Sequence, residues 1–313
     1  MQSIENHEKA PNNFVKLNRG RSAFSISVLM CVYNVEKYIH NCIEALLDQT
    51  IKDFEIVIVD DGSTDNTQKM IADFDDKRIR YFNNKKNAGV AECRNKCIKL
   101  SKGEYVFFTD GDCIVAKNWL EQGLRFLKGK DCIGVEGRTY YVAEDYKPTF
   151  SDRVVENKEP GQFMTCNIAY KRSVIERIGG FDTRYIMNSD RDLALRAKKF
   201  GKILFNPDMV VYHQKVTLGP KEFIHMGKNF RSRVLLYKKF GERNFFLWRI
   251  VHPQNLISII CPPLIFGKLI FGIIFGRYRS KEDFALFPFI YVRLVYERLN
   301  LWDMCVKERV FLI

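Results

Sequence analysis

The sequence predicts an α/β protein with a mainly parallel sheet flanked by helices and a helical C-terminal appendage. Three observations carry this. Apolar, β-branched runs recur at Ile26 to Val32, Phe54 to Val59, Ile79 to Phe82 and Tyr105 to Phe108, the pattern of strands buried on both faces. Helical periods fill the gaps: EKYIHNCIEALLDQ sets Ile39, Cys42, Ile43, Leu46 and Leu47 on one face, and AECRNKCIKL repeats the pattern before the fourth run. Beyond residue 213 the alternation stops and long apolar stretches take over. Three segments follow: a polar extension (1–24), the α/β domain (25–213) and a basic, apolar helical region (214–313).

Each run in the first domain ends on polar residues. Val32, Tyr33 and Asn34 close the first, Asp60, Asp61, Gly62 and Ser63 follow the second, and Asp110, Gly111 and Asp112 follow the fourth. Ligands of open α/β sheets bind beyond the carboxyl ends of the strands. DDGSTD alone also suits a turn in which Ser63 or Thr64 caps a helix starting near Asp65. Four aspartates on one rim repel one another unless a cation or ligand donors compensate, so the set favours a binding site over capping.

The six segments SVLMCVYN, FEIVIVDDGSTDNT, NAGVAECRN, TDGDC, FMTCNIAYKRSVIERIGGFD and SDRDLALRAKKFG resemble, in order, the motifs of glycosyltransferase family 2, inverting nucleotide-sugar enzymes of the GT-A fold. The likeness runs from about Ser25 to His213. Cys31 stands where a proline is common and Cys93 where NxGxxxARN has alanine. The resemblance implies that backbone near Val32, Tyr33 and Asn34, with Asp60 and Asp61, holds base and ribose, and that Arg94 faces the diphosphate or base. Asp110 and Asp112 match the DxD motif, placing Asp110 at the ribose and both near a Mn²⁺ or Mg²⁺ ion, whose hard oxygen ligands they supply. His213 resembles a further ligand or donor position. Gly111 would let backbone and phosphate approach closely.

Inverting transfer needs a base for the acceptor hydroxyl. The family pattern EDxD points to Asp190 in that role, with Ser189 replacing the first acid; helix capping by Ser189 or Asp190 is the plainer account. Asp192 and Asn167 are expected on the acceptor side, and Arg196 could pair with Asp192 at helical spacing. Two other readings are a sugar nucleotidyltransferase, which lacks its glycine-rich loop here, and a non-catalytic membrane-bound nucleotide-sugar binding protein. Neither a Walker loop nor GxGxxG occurs.

Composition sets the remaining bounds. The chain has 313 residues and a net charge of +13. Residues 214–313 hold 17 Lys/Arg against 7 Asp/Glu, so most of the excess lies there. Grease rather than polar spacing separates these charges, in LISIICPPLIFGKLIFGIIFG (256–276) and FALFPFIYV (284–292), which argues against nucleic acid and for an anionic membrane surface. Pro262 and Pro263, Lys268, and basic residues on both sides (Arg243, Arg249, Arg277, Arg279, Lys281) disfavour a simple span. An in-plane or re-entrant pair of short helices at the cytoplasmic membrane face fits, with a lipid-linked or growing glycan as acceptor; packing as ordinary core is the alternative. Nine cysteines without a paired CxxC pattern, and no secretory signal in the first residues, lead us to expect reduced thiols, with Cys93 and Cys97 packing a helix.

Overall fold

A computed structural model describes residues 24–143, 145–242, 246–247, 250–251, 253–275, 278 and 281–312. Residues 1–23 of the polar extension, Arg243, Arg249, Arg277 and Arg279 lie outside the described residues. The apolar runs form β1 (Ile26–Val32), β2 (Phe54–Asp60), β3 (Ile79–Asn83) and β4 (Tyr105–Asp110), with α1 (Ile39–Leu47), α2 (Thr67–Ala72) and α3 (Val90–Leu100) between them. Every residue of β2 is buried, as a strand covered on both faces requires.

The second half of the domain adds β5 (Cys113–Val115), α4 (Trp119–Leu127), β6 (Cys132–Tyr141), β7 (Ile168–Lys171), α5 (Arg172–Arg177), α6 (Ser189–Ala197) and β8 (Lys202–His213). All eight strands join one sheet in the order β3-β2-β1-β4-β7-β6-β8-β5. The β3-β2-β1-β4 half is parallel. The other half makes the sheet mixed where a mainly parallel one is expected: β7 runs antiparallel to both β4 and β6, β5 runs antiparallel to β8, and within this half β6 and β8 alone pair in parallel.

Side-chain alternation sorts the core into two layers. Ile26, Val28, Met30 and Phe107 face α1 and α4, with Ile39, Ile43 and Trp119. Leu29, Val106 and Phe108 face α3, α5 and α6, with Cys97, Ile175 and Leu193. Each fully buried aliphatic contributes about 1.5–3 kcal/mol. Cys31 has the parity of Leu29, and Asp110 that of Phe108, so both point toward α3; they are also register partners across β1 and β4.

The C-terminal region comprises α7 (Pro220–His225), α8 (Phe230–Phe240), a two-stranded ribbon of β9 (Phe246–Leu247) and β10 (Ile250–Val251), then α9 (Pro253–Ile260), α10 (Pro263–Ile274), α11 (Lys281–Ala285) and α12 (Phe289–Glu308). Part of it is core: Val234, Leu235 and Leu236 of α8 pack with Leu301, Met304 and Cys305 of α12 and with Tyr185. The stretch 284–292 is divided, with Leu286 buried against Leu218 and Phe223 while Phe284, Tyr291 and Val292 remain exposed. The chain breaks between α9 and α10 at Cys261 and Pro262. Among the described residues no helix is long and apolar enough to cross a membrane.

Candidate active site at the carboxyl ends of the strands

The end of β2 is stitched to its neighbours. Asp60 is fully buried; its Oδ1 accepts the Ser63 N–H at 2.8 Å and its Oδ2 the Tyr81 hydroxyl at 2.9 Å. Burial and the adjacent Asp60 carboxylate push the Tyr81 phenol above its ordinary range, keeping it a donor. Asp61 is almost as enclosed: Oδ1 accepts from Asn84 Nδ2 (2.7 Å) and Ala88 N–H (3.0 Å), Oδ2 from Gly89 N–H (2.9 Å). Its own N–H donates to the Val32 carbonyl at 2.8 Å. Asn34, at φ 52°, donates its N–H to Ser63 Oγ and accepts the Thr64 N–H on Oδ1. At the β1 end Val32 is buried, whereas Tyr33, at 47%, and Asn34 are exposed.

Asp60 and Asp61 have their carboxylate oxygens engaged by protein donors, and Asn34 its N–H and Oδ1, so all three brace the β1 and β2 ends. The capping expectation is corrected here. Ser63 and Thr64 do not cap α2, whose flanking residue is Asn66; Ser63 serves Asn34 instead, and Asp65 accepts the Glu36 and Thr67 N–H groups.

The end of β4 is differently furnished. Asp110 is partly open, with Arg94 Nη2 3.3 Å from its Oδ1. The Arg94 guanidinium also lies 5.7 Å from the centre of the Phe181 ring, which holds it over the site. A Cβ on Gly111 would sit 2.9 Å from Val32 Cγ1 and 3.1 Å from Val35 Cγ2. Its small size therefore lets the Asp110–Asp112 turn close onto the β1 end. Cys42 of α1 donates to the Gly111 carbonyl at 3.0 Å.

Asp112 meets His213 at the end of β8, with His213 Nε2 3.5 Å from Asp112 Oδ1. His213 Nδ1 lies 2.9 Å from the Gln214 carbonyl. A carbonyl only accepts, so Nδ1 donates there, and Nε2 is the ring nitrogen that faces Asp112. Asp112, Cys113 and His213 bring one ligand atom each within 4.8 Å of one another. The carboxylate and imidazole suit a divalent cation of intermediate hardness. Burial, with Cys166 and two aspartates nearby, pushes the Cys113 thiol well up, so it stays protonated and ligates poorly. Burial also raises Asp112, opposed by His213 and reinforced by Asp110, with Arg153 as a further nearby cation that sequence reasoning missed.

Asp190, in the first turn of α6, completes the group. It is half-buried, and burial pushes its carboxyl above the ordinary range; Arg94 opposes that shift and Asp110 adds to it. Its Oδ1 accepts the Arg191 N–H at 2.8 Å, and neither Ser189 nor Asp190 caps α6, which Asn188 precedes at φ 61°. Asp110, Asp112, His213, Arg94 and Asp190 thus converge through direct contact or mutual charge.

Two acceptor-side expectations are overturned. Asn167 is buried, its Oδ1 taking the Trp119 indole N–H at 2.8 Å and its Nδ2 donating to the Arg138 and Met209 carbonyls. Asp192 is fully buried and faces away, held by Arg196 Nη2 at 2.7 Å and Lys239 Nζ at 2.6 Å. The sequence reading also missed Arg191, which is clamped between the Glu242 carboxylate and the Gly161 carbonyl. It missed a disulfide as well: Cys31 and Cys93 are bonded, with Cα atoms 5.9 Å apart, where reduced thiols were expected. Both stand at positions where the resembled motifs have other residues, a paired departure that could have pointed to them. Cys97 packs as expected, buried against β1.

Residues 27–182 match the sequence model described as Glycosyl transferase family 2. The chain is 38% identical over 121 residues to the glycosyltransferase GlyG of Streptococcus pneumoniae, covering 38% of this chain and 40% of that protein, so it spans about two fifths of that relative's length. It is 29% identical over 198 residues, 62% of this chain and 78% of the other, to the Escherichia coli UDP-Glc:alpha-D-GlcNAc-diphosphoundecaprenol beta-1,3-glucosyltransferase WfaP. A solved mannosyltransferase of Pyrobaculum calidifontis, PcManGT in complex with GDP-Man and Mn²⁺, superposes with a TM-score of 0.59 at 17% identity, covering 89% and 87% of the two chains. The fold is GT-A-like, a curled mixed sheet flanked by helices. With the sequence match and the strand-end motifs in agreement, residues 27–182 are a glycosyltransferase family 2 domain.

Proposed function

We propose that this chain moves a sugar, with inversion, from a nucleotide-diphosphate donor, UDP-sugar in the first instance, to a hydroxyl of a glycan or lipid-linked acceptor. The observation that carries the reading is the convergence of Asp110, Asp112 and His213 with Arg94 and Asp190 at one end of the sheet. Asp112 and His213, with Asp110 beside them, would hold Mn²⁺ or Mg²⁺, which when bound neutralises charge on the departing diphosphate. Arg94 adds a fixed positive charge at the same place. Asp190, its carboxyl raised by burial, takes the proton of the acceptor hydroxyl as the new bond forms. The relative named for UDP-Glc and a diphosphoundecaprenol-linked acceptor supports the donor and acceptor classes; the neighbour solved with Mn²⁺ supports the metal.

The same reading puts the enzyme on the cytoplasmic membrane face through α9 and α10. Ile257, Ile260, Ile270, Phe271, Ile274 and Phe275 are 47–74% exposed as a group with Ile273. At 12 residues α10 is about 18 Å long, short of the roughly 30 Å apolar core of a bilayer. An in-plane contact matches that length. Ending the chain near Phe240 would strip α12 from α8, so substitution is the sounder probe. Replacing Ile270, Ile274 and Phe275 with serine is expected to release the chain from anionic phospholipid vesicles without unfolding it; unchanged co-sedimentation would contradict the membrane reading.

Donor and metal are tested together by thermal-shift screening of nucleotide sugars with and without Mn²⁺. A ligand at ~100 times its dissociation constant adds about 2.7 kcal/mol. Stabilisation by one nucleotide sugar that depends on Mn²⁺, followed by turnover with a lipid-linked acceptor, is the expected result. Binding without turnover would favour a non-catalytic binding protein.

A further inference from the structure

We propose that Cys31 and Cys93 form a reversible thiol–disulfide site that sets how the donor is held; this rests on the nucleotide-diphosphate reading above. The two residues join the last turn of strand to the first turn of helix at the centre of the site. Cys31 is the register partner of Asp110 on β4 and of Val59 on β2, and its side chain points toward α3. Cys93 is the immediate neighbour of Arg94, whose guanidinium meets Asp110 Oδ1 at 3.3 Å. The bond therefore ties the strand beside one donor-site residue to the helix carrying the other.

Reduction has a geometric consequence. Two non-bonded heavy atoms rest about 3.5–4 Å apart, against about 2 Å in a disulfide. On reduction, Cys31 in the middle of the sheet stays fixed by ladders to β2 and β4. The displacement falls on α3, and with it on Arg94. The start of α3 is otherwise held by Asp61, through the Ala88 and Gly89 N–H groups, and its middle by Asn95, which exchanges two hydrogen bonds with the Phe181 backbone, so the shift is confined to the first turn, which carries Cys93 and Arg94.

The chemistry balances as ordinary exchange with a small thiol. A thiolate RS⁻ attacks Sγ of Cys31, the partly exposed residue of the pair, and Cys93 leaves as thiolate and is protonated. A second RS⁻ attacks the RS sulfur of the mixed disulfide and frees Cys31. The net change is one protein disulfide and two RSH to two protein thiols and RSSR; oxidation by a low-molecular-weight disulfide is the reverse. Cys93 is buried, which directs attack to Cys31. Cys97, one turn along α3, lies close to the Met30 carbonyl, and burial pushes its thiol up to about 12, so it does not compete as the attacking thiolate.

The test uses the full chain equilibrated across ratios of reduced to oxidised glutathione. Alkylation in denaturant reads the bridge: seven free cysteines when it is formed, nine when it is not. Binding of UDP or GDP with Mn²⁺ is measured in the same samples. The expected result is a switch between seven and nine labels, with affinity weakened about fivefold or more on reduction. Cys93→Ala and Cys31→Ser should bind as weakly as the reduced chain and ignore the ratio. Nine labels at every ratio, or equal affinity in both states, overturns the proposal. Should neither nucleotide bind in either state, the nucleotide reading fails, and amide exchange over residues 88–96 decides the bridge separately. Slower exchange in the bridged chain upholds the coupling to α3, and equal exchange overturns it.

Discussion

The ends of β2 and β4 both present two aspartates to the same rim, yet they do different work. At β2, Asp60 and Asp61 lie buried with four carboxylate oxygens taken by hydroxyl, amide and backbone donors. At β4, Asp110 stays partly open and meets one guanidinium, while Asp112 faces Nε2 of the His213 imidazole. A carboxylate saturated by neutral donors fixes backbone. One left beside a guanidinium and an imidazole is ready for a ligand. The same contrast recurs within a single turn of α6, where Asp190 faces the site and Asp192 is sealed in an ion pair.

The largest effect that would sharpen the contrast is on Asp190. Asp190→Asn is expected to slow transfer by roughly 10²–10⁴ while leaving donor affinity nearly unchanged, as loss of a general base does; unchanged turnover would move the base elsewhere. Its raised carboxyl also fixes a sign. Between the unfolded and folded values the native chain binds more protons, so this residue's contribution to stability falls as pH rises through that window and stays lost above it. Asp190→Asn should therefore melt no lower than the parent at neutral pH and lose the parent's acid-side gain. In the parent, turnover should rise with pH through a value above the ordinary carboxylate range.

Asp192 should behave in the opposite way. Asp192→Ala leaves Arg196 and Lys239 without their carboxylate, costing about 3 kcal/mol in urea unfolding, with nucleotide affinity retained in the folded fraction. A smaller expected effect separates the strand ends themselves. Asp60→Asn loses a charge-assisted hydrogen bond and should cost about 1.5–3 kcal/mol, whereas Asp110→Asn should stay within about 0.5 kcal/mol of the parent. Equal losses at the two ends would break the comparison.

The parallel half of the sheet was legible because β1, β2 and β4 are uninterrupted apolar runs whose parity and ends can be read directly. Asp110, Asp112, His213 and Asp190 were likewise visible as polar residues at element ends. The braces were not, because their partners lie far along the chain: Tyr81 for Asp60, Ala88 and Gly89 for Asp61, Trp119 and Met209 for Asn167. A buried aspartate and a ligand-binding one look alike until those donors are placed. The antiparallel half escaped for a related reason, since β6 carries Gly134, Glu136 and Gly137 within its run and reads as no clean strand. In the tail, apolar content alone could not divide α12, which packs on α8, from α10, which stays open.

The central claim is that the β4 end, and not the β2 end, holds the metal and diphosphate. It is tested most directly by calorimetry of UDP and GDP binding with and without Mn²⁺, on the parent and on Asp112→Ala. The account predicts that the variant stays folded and loses most of the Mn²⁺-dependent part of the affinity, because the carboxylate facing His213 Nε2 is gone. Equal Mn²⁺-dependent binding in variant and parent would contradict it.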